Sequence, residues 1–241
     1  YQNGEIIFDR RYGSTNTFEK NNYPVGYNLG QSGNTPSQNL VDAYEMIDGT
    51  PFDWNNPEHK SNPYANRDPR LAMSILTNNV EFKDRTIEAW TGGRDGKGVI
   101  HATRTGYYIY KFIDPNLDLL QNRTSVHHWV IMRYAEILLS YAEAMNEAYG
   151  PTGNVGYRIR NERRVELAFE DHRFWDVRRW MIAPETLGAP LRGVEITKIS
   201  DEEFEYNPIE VEKRTFEPKM YLYSIPQADL NTTGWVQNPL W

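Results

Sequence analysis

The sequence predicts a mainly α-helical domain with long irregular segments and a few short strands. Apolar residues recur at steps of three and four over 126–149, and a second helical pattern covers 157–180. Glycine, proline and asparagine are frequent before these helices, and the alternating apolar segments there are short. We therefore divide one domain into a loop-rich part at 1–125, a helical part at 126–182 and an extended part at 183–241.

Composition and charge exclude several classes of function. The 241 residues carry a formal net charge of −7 and include no cysteine. Binding to a phosphate backbone requires clustered positive charge, so we expect no nucleic-acid partner. The lack of cysteine excludes disulfides, thiolate metal ligands and a cysteine nucleophile. Aromatic residues make up 13% of the chain, and their flat faces suit either an irregular core or the stacking of sugar rings.

The first fifty residues predict a strand, a long loop and a short helix. The strand is "EIIFDRRY", and the loop after it is rich in glycine, asparagine and serine with aromatic residues among them. Thr35 or Ser37 can cap the helix, whose apolar side carries Leu40, Val41 and Tyr44. Aromatic residues on the polar loop are candidate ligand contacts or anchors that hold the loop to the body.

The middle of the chain predicts irregular structure and short extended segments. Residues 50–70 contain four prolines, which excludes a long helix or a central strand there. The alternating stretches at 70–79 and 106–114 predict strands or short extended segments, separated by the glycine-rich turn "TGGRDGKG".

Two helical blocks and an extended tail follow. The clearest helix is "VHHWVIMRYAEILLSYAEAMNEAYG", which has a broad apolar face and ends at Gly150. The second block, 157–180, is expected to break near Asp171. Beyond Pro184 we expect extended chain, and residues 218–241 show no helical periodicity.

The segment "ERRVELAFEDHRFWDVRRW" could be a catalytic cluster or a structural one. A glycosidase needs two acids on opposite sides of a bond, whereas acids stacked along one helix share a side. Arginines one turn away would also lower their pKa values. We therefore predict a structural ion-pair lattice, with Val165, Phe169 and Phe174 facing a core. Its members are Glu162, Arg163, Glu166, Arg173, Asp176 and Arg179.

Three C-terminal segments form a recognisable set: "MRYAEILLSYAEAMNEA", "RNERRVELAFEDHRFWDVRRW" and "YLYSIPQADLNTTGWVQNPLW". Together they resemble the signatures of the SusD/RagB family of outer-membrane nutrient-binding lipoproteins. The resemblance implies a tetratricopeptide-like helical scaffold with irregular segments on the ligand face. It also implies a non-catalytic protein without cofactors, lipid-anchored at the cell surface. Such a protein would capture oligosaccharides or polysaccharides and deliver them to a SusC-like TonB-dependent transporter.

The sequence departs from the family pattern in three ways. Family members are usually much longer, and the part lacking here is the N-terminal half with its lipid anchor. The family also inserts a few dozen residues between the two helical signatures, so we predict a gap in the chain near Gly156 and Tyr157. Asp171 replaces a glycine that is common at that turn, which a residue tolerant of left-handed backbone geometry can do.

Ligand residues vary within the family and lie on loops, so our candidates come from loop composition. Sugar rings present apolar C–H faces and hydroxyls, and they are bound by aromatic platforms with polar neighbours. The candidate glycan-binding residues are Tyr12, Asn16, Phe18, Tyr23, Tyr27, Trp54, Trp90 and Arg94.

Two other functions compete with glycan capture. A glycoside hydrolase could use loop acids such as Asp53 or Glu58, although neither comes with a partner of contrasting environment. A helical interaction scaffold would bind a protein and no sugar. We predict no metal site, because His127 and His128 are adjacent and on a helix would point to different sides.

Overall fold

The computed structural model describes residues 3–150 and 155–241. The longest helices lie between residues 134 and 186, and shorter helices occur in the loop-rich part. The α-helices are α1 (Thr17–Asn22), α2 (Gln38–Val41), α3 (Pro57–Ser61), α4 (Arg70–Ser74), α5 (Tyr134–Tyr149), α6 (Val155–Glu166), α7 (His172–Arg179), α8 (Ala183–Thr186) and α9 (Gln227–Thr233), with a 3₁₀ helix at Pro218–Tyr221.

The strands form separate antiparallel pairs and no large sheet within the described ranges. The pairs are β1 (Ile6–Arg11) with β6 (His128–Arg133), β2 (Ile75–Leu76) with β5 (Tyr108–Ile109), β3 (Glu81–Phe82) with β4 (Arg85–Thr86), and β7 (Leu191–Lys198) with β8 (Phe204–Glu212). The last pair is a long hairpin, and the first joins two segments far apart in sequence.

The hydrophobic core lies mainly in the loop-rich part of the chain. Tyr44, Ile75, Tyr107 and Tyr108 are fully buried there, and Ile196 reaches them from the β7–β8 hairpin. By contrast, α5 has no buried residue, and α6 and α7 bury charged as well as apolar side chains. The irregular segments therefore form most of the core, and the helices pack against it.

Buried side chains satisfy the backbone of this irregular core. Arg67 is 5% exposed and donates hydrogen bonds to the carbonyl oxygens of Val41, Tyr44 and Pro63 at 2.6–3.0 Å. The Tyr108 hydroxyl donates to the Asp95 carbonyl at 2.5 Å. Because buried carbonyls need partners, such bonds let chain without regular secondary structure form a core.

Several predictions from the sequence are confirmed. "EIIFDRRY" contains β1, and Ser37 caps α2, its hydroxyl oxygen accepting a hydrogen bond from the Leu40 amide at 3.3 Å. The second helical block breaks into α6 and α7, and Asp171 between them adopts φ 64°. An aspartate therefore occupies the left-handed position where we expected it to replace glycine.

Three local predictions are wrong. Residues 128–133 form strand β6 instead of the start of α5, because they pair with β1. Residues 70–79 begin as helix α4 before turning into β2, and residues 227–233 form helix α9 in the tail that we expected to be extended. Tertiary pairing decides the first case, and the other two elements are too short to show a periodicity.

Candidate functional site

The acids of α6 and of the turn that follows it are paired with basic side chains from distant parts of the chain. Arg70 contacts Glu162 and Glu166 at 2.5 and 2.8 Å. Arg133 contacts Glu166 and Glu170, both at 2.7 Å, and Lys111 contacts Glu170 at 2.5 Å. Burial raises the pKa of Glu166, but hydrogen bonds from Arg70 and Arg133 outweigh it and hold that pKa below its usual value.

A second group of ion pairs ties α5, α6 and α7 together. Asp176 accepts from Arg163 at 3.0 Å and from Arg179 at 2.9 Å, and Arg163 and Asp176 are both buried. Arg179 also contacts Glu143 of α5 at 2.5 Å, and that hydrogen bond lowers the pKa of Glu143. A general acid needs a raised pKa, whereas arginine neighbours lower the pKa values of Glu143 and Glu166. The ion pairs are therefore structural, and we call their network the brace; its members are Glu143, Glu162, Glu166, Glu170, Asp176, Arg70, Lys111, Arg133, Arg163 and Arg179.

Two members of this segment lie apart from the brace. Arg173 makes no ion pair with any residue of the described ranges, and it lines a cavity beside Arg164. Phe174 is 38% exposed and packs under Arg178 at 4.9 Å, which corrects the prediction that it faces a core. The guanidinium groups of Arg160 and Arg179 lie over the ring of Trp180, at 5.2 and 4.8 Å from its centroid.

An aromatic cavity of about 290 Å³ lies where β1 ends and β6 begins. Four rings and two imidazoles converge there with a few small polar side chains. We call it the aromatic cavity; its lining is Tyr12, Thr15, Thr17, Phe18, Asn21, Phe112, His127, His128 and Trp129.

The pairing of β1 with β6, and helix α1 after β1, position the residues that line the aromatic cavity. The backbone amide of Tyr12 donates to the carbonyl of His127 at 2.9 Å, and Thr15 forms a bridge with Ser125. These bonds bring the loop before α1 against the start of β6. Phe112 and Trp129 approach from the other side with ring centroids 5.8 Å apart and planes at 40°. Flat ring faces thus surround one space.

Two carboxylates hold the imidazoles of the aromatic cavity. The His127 Nε2 atom lies 3.0 Å from the carboxylate of Glu19, which is fully buried, and its ring is 5.2 Å from that of Phe18. The His128 Nδ1 atom lies 2.5 Å from Asp9. Among the residues that the structure describes, no carboxylate lines the cavity itself. The arrangement can bind an apolar sugar face and orient hydroxyls, without acids on both sides of a bond.

The candidates Tyr12 and Phe18 meet in the aromatic cavity, and Asn16 lies between them in sequence, where its amide donates to Asn122 at 2.8 Å. Sequence reasoning missed Phe112 and Trp129. Trp129 lies in a segment whose sequence predicts the start of a helix, and its place in the cavity depends on the pairing of β6 with the distant strand β1.

Tyr23 and Tyr27 are core residues, which corrects the prediction that they face a ligand. They are 2% and 7% exposed, and their rings pack edge-on against Phe82. The Tyr23 hydroxyl donates to the Asp114 carbonyl at 2.5 Å, and burial raises the pKa values of both tyrosines. Hydrophobic burial with a satisfied hydroxyl outweighs the tendency of loop aromatics to be exposed.

The other three candidate glycan-binding residues lie outside the aromatic cavity, so the structure does not bring all the candidates together. The Trp54 indole donates to Asp42 at 3.0 Å and packs against the core. Trp90 packs against Phe204 of the hairpin, and Arg94 pairs with Glu88 at 2.5 Å. None of the three lines the aromatic cavity.

Two kinds of feature are absent from the described residues. No group of three or more histidine and acidic side chains could hold a metal ion. No helix there is both long and apolar enough to span a membrane.

Comparisons with known proteins agree with the resemblance seen in the sequence. The model of the SusD family matches residues 4–157 and 152–241. A SusD-like protein from Bacteroides fragilis is 29% identical with a TM-score of 0.83, covering 100% of this chain and 55% of that one. A SusD-like carbohydrate binding protein from Bacteroides fragilis is 26% identical with a TM-score of 0.74, covering 94% and 53%. A comparison with curated proteins gave no match.

These matches extend over the whole chain in sequence and in fold. The chain spans about half the length of the two solved relatives. The two stretches of the family match overlap at 152–157, where we predict a gap near Gly156 and Tyr157. Helix α6 runs through both of these residues, and residues 151–154 lie outside the described ranges. The chain belongs to the SusD family.

Proposed function

We propose that this chain is a non-catalytic glycan-binding protein and that the aromatic cavity receives the sugar. The observation that carries the proposal is the convergence of Tyr12, Phe18, Phe112 and Trp129 on one space of about 290 Å³. Stacking on such rings is the main apolar contribution to sugar binding. Membership of the SusD family and the carbohydrate binding relative support it.

The wider role that we propose follows the family resemblance. The protein would have a tetratricopeptide-like helical scaffold, and an N-terminal lipid anchor would hold it to the outer membrane at the cell surface. It would deliver the captured oligosaccharide to a SusC-like TonB-dependent transporter. This role requires capture without cleavage, which fits a cavity whose nearby acids, Asp9 and Glu19, each hold a histidine.

The rival hydrolase would place its acids elsewhere. Asp53 accepts hydrogen bonds from the backbone and side chain of Asn55 at 2.8 and 3.0 Å, so its carboxylate closes a turn. Glu58 is exposed in the first turn of α3, and neither acid lines the aromatic cavity. Release of reducing ends from a bound glycan would favour the hydrolase over the proposal.

Substitution of matched tryptophans tests the location of the site. Trp129→Ala removes a ring of the aromatic cavity, and we expect affinity for a bound polysaccharide to fall about 3- to 10-fold in affinity gel electrophoresis. Trp90→Ala removes a ring that packs on the hairpin instead, and its retention should equal that of the wild type. Melting curves of both variants check that they are folded.

The reverse pattern would contradict the proposed site. If Trp90→Ala lost retention while Trp129→Ala kept it, the sugar would bind at the hairpin. Unchanged retention of Trp129→Ala, Phe112→Ala and Phe18→Ala would remove the aromatic cavity as a site altogether.

A further inference from the structure

A second cavity, of about 380 Å³, lies between α2, α6, α7 and the start of β7. Its lining contains four arginines, two from the helical part and two from the extended part of the chain, and two acids. We call it the arginine cavity, after Arg164, Arg173, Arg192 and Arg214; the acids are Asp42 and Glu185. Positive charge concentrates here although the chain as a whole has a formal net charge of −7.

One acid of the arginine cavity already accepts hydrogen bonds from other residues, and the other is exposed to solvent. Asp42 accepts hydrogen bonds from Gln38 at 2.7 Å, from the Trp54 indole at 3.0 Å and from Arg192 at 2.7 Å. Glu185 is exposed in α8. Among the described residues no carboxylate lies within ion-pair distance of Arg164 or Arg173, and the charges of Asp42 and Asp176 act on them only at longer range.

The hydrogen bonds of these arginines also differ. Arg214 is fixed by the carbonyl oxygens of Thr186 and Ala189 at 3.1 and 2.8 Å. Arg164 donates to the carbonyl of Asn39. The guanidinium of Arg173 makes no hydrogen bond within residues 3–150 and 155–241, so its donors are available to an occupant of the cavity.

Burial makes this arrangement costly without an anion. Desolvation, with a contribution from the neighbouring Arg173, lowers the pKa of Arg164 to about 10, and desolvation also lowers the pKa of Arg173. Both side chains still carry charge at neutral pH. Two desolvated like charges repel each other, and an anion between them would remove that repulsion.

We propose that the arginine cavity binds a small oxyanion, sulfate or carboxylate, through Arg164 and Arg173. Guanidinium groups suit this ligand because their planar N–H donors match two oxygen atoms at once. The anion has two possible sources, an inorganic ion or the acidic sugar of a glycan. Only the second source rests on the function proposed above.

Titration calorimetry with sodium sulfate, at an ionic strength held constant with sodium chloride, tests the site. We expect sulfate to bind the wild-type chain and Arg173→Gln to weaken that binding about tenfold or more. Arg164→Gln should do the same. Arg158→Gln on the exposed side of α6 is the matched control and should bind like the wild type.

A second readout separates ligand binding from a structural role. Without sulfate, Arg173→Gln should melt at or above the wild-type temperature, because desolvation of Arg173 outweighs its attraction to Asp176, its charge also repels Arg164, and the substitution breaks no hydrogen bond. Lower melting together with unchanged sulfate affinity would make Arg173 a structural residue and overturn the proposal. Absence of sulfate binding to the wild type, or equal binding by Arg173→Gln, would also overturn it.

Glucuronate and glucose, titrated in parallel, identify the source of the anion. Glucuronate binding that Arg173→Gln weakens, with no response to glucose, would support an acidic sugar as the occupant. Sulfate binding without glucuronate binding would support an inorganic ion. Either result is independent of the aromatic cavity, since Trp129→Ala leaves the arginine cavity intact and should alter neither titration.

Discussion

The loop-rich part and the helical part of this chain bury different kinds of side chain. Between residues 23 and 119 the buried groups are mostly aromatic and aliphatic, although regular structure is scarce there. Along α5, α6 and α7 the buried set includes Arg163, Glu170 and Asp176, and α5 buries no residue. Regular helices therefore do not mark the core here, and the comparison teaches that irregular chain can form a core where side chains such as Arg67 satisfy its buried carbonyls.

The largest expected effect comes from breaking the polar support of the irregular core. Arg67→Met would leave the carbonyl oxygens of Val41, Tyr44 and Pro63 buried without their donors. We expect a loss of about 4 kcal/mol in the free energy of unfolding, because each unsatisfied buried group is costly. Denaturant unfolding followed by tryptophan fluorescence measures it.

Arg123→Met is the control for this prediction, since Arg123 is an exposed arginine in a turn. It should change stability little. Equal stability of Arg67→Met and Arg123→Met would show that the irregular core does not depend on its buried guanidinium.

The second effect tests the brace of the helical part. Glu170→Gln removes the charge that Lys111 and Arg133 both contact, at 2.5 and 2.7 Å, from a carboxylate that is almost fully buried. Both basic groups keep other acceptors, including the carbonyl of Glu166. We therefore expect a loss of about 2 kcal/mol, which is smaller than that for Arg67→Met.

Glu162→Gln on α6 provides the matched control in the same ion-pair network. Its side chain is 46% exposed, and surface ion pairs contribute at most about 1 kcal/mol. A larger loss for Glu162→Gln than for Glu170→Gln would mean that the exposed end of the brace, beside Arg70, carries its stability.

This comparison also explains how far the sequence could predict the fold and the site. The helical part was predictable because its periodicity and charge alternation are local signals, and the break near Asp171 contains two left-handed residues, Phe169 and Asp171, of which the sequence indicated only the second. The partners of the brace were not, since Arg70 and Arg133 lie more than thirty residues from Glu166 in sequence. The aromatic cavity depends on β1–β6 pairing in the same way, so Tyr12 and Phe18 could be named while Trp129 and Phe112 could not.

The third effect is the pH dependence of the brace. The pKa values of Glu143 and Glu166 are lowered in the folded chain by their arginine partners, against an opposing effect of burial that is the largest for Glu166. A lowered folded pKa stabilises the fold at pH values above the unfolded pKa of glutamate, about 4.3. That stabilisation is lost as the pH falls through the folded values.

We therefore expect the unfolding free energy of the wild type to decrease below about pH 4.3, and that of Glu166→Gln to decrease less steeply. Unfolding curves between pH 7 and pH 3 would measure both slopes. Glu202→Gln, which changes an exposed acid of the hairpin loop, should keep the wild-type slope. If Glu166→Gln also kept it, the brace would not be the acid-sensitive element.

The smallest effect concerns the apolar face of α5. Leu138 is 51% exposed there, beside Ile137 and Tyr141, so Leu138→Ser removes little buried surface. We expect a change in unfolding free energy within about 0.5 kcal/mol. Leu71→Ser in the loop-rich part, where Leu71 is 3% exposed, is the matched substitution and should cost several times more because it leaves a polar cavity in the core. Equal losses would mean that the α5 face is covered in solution, and a loss for Leu138→Ser that depends on protein concentration would identify a second copy of the chain as the cover.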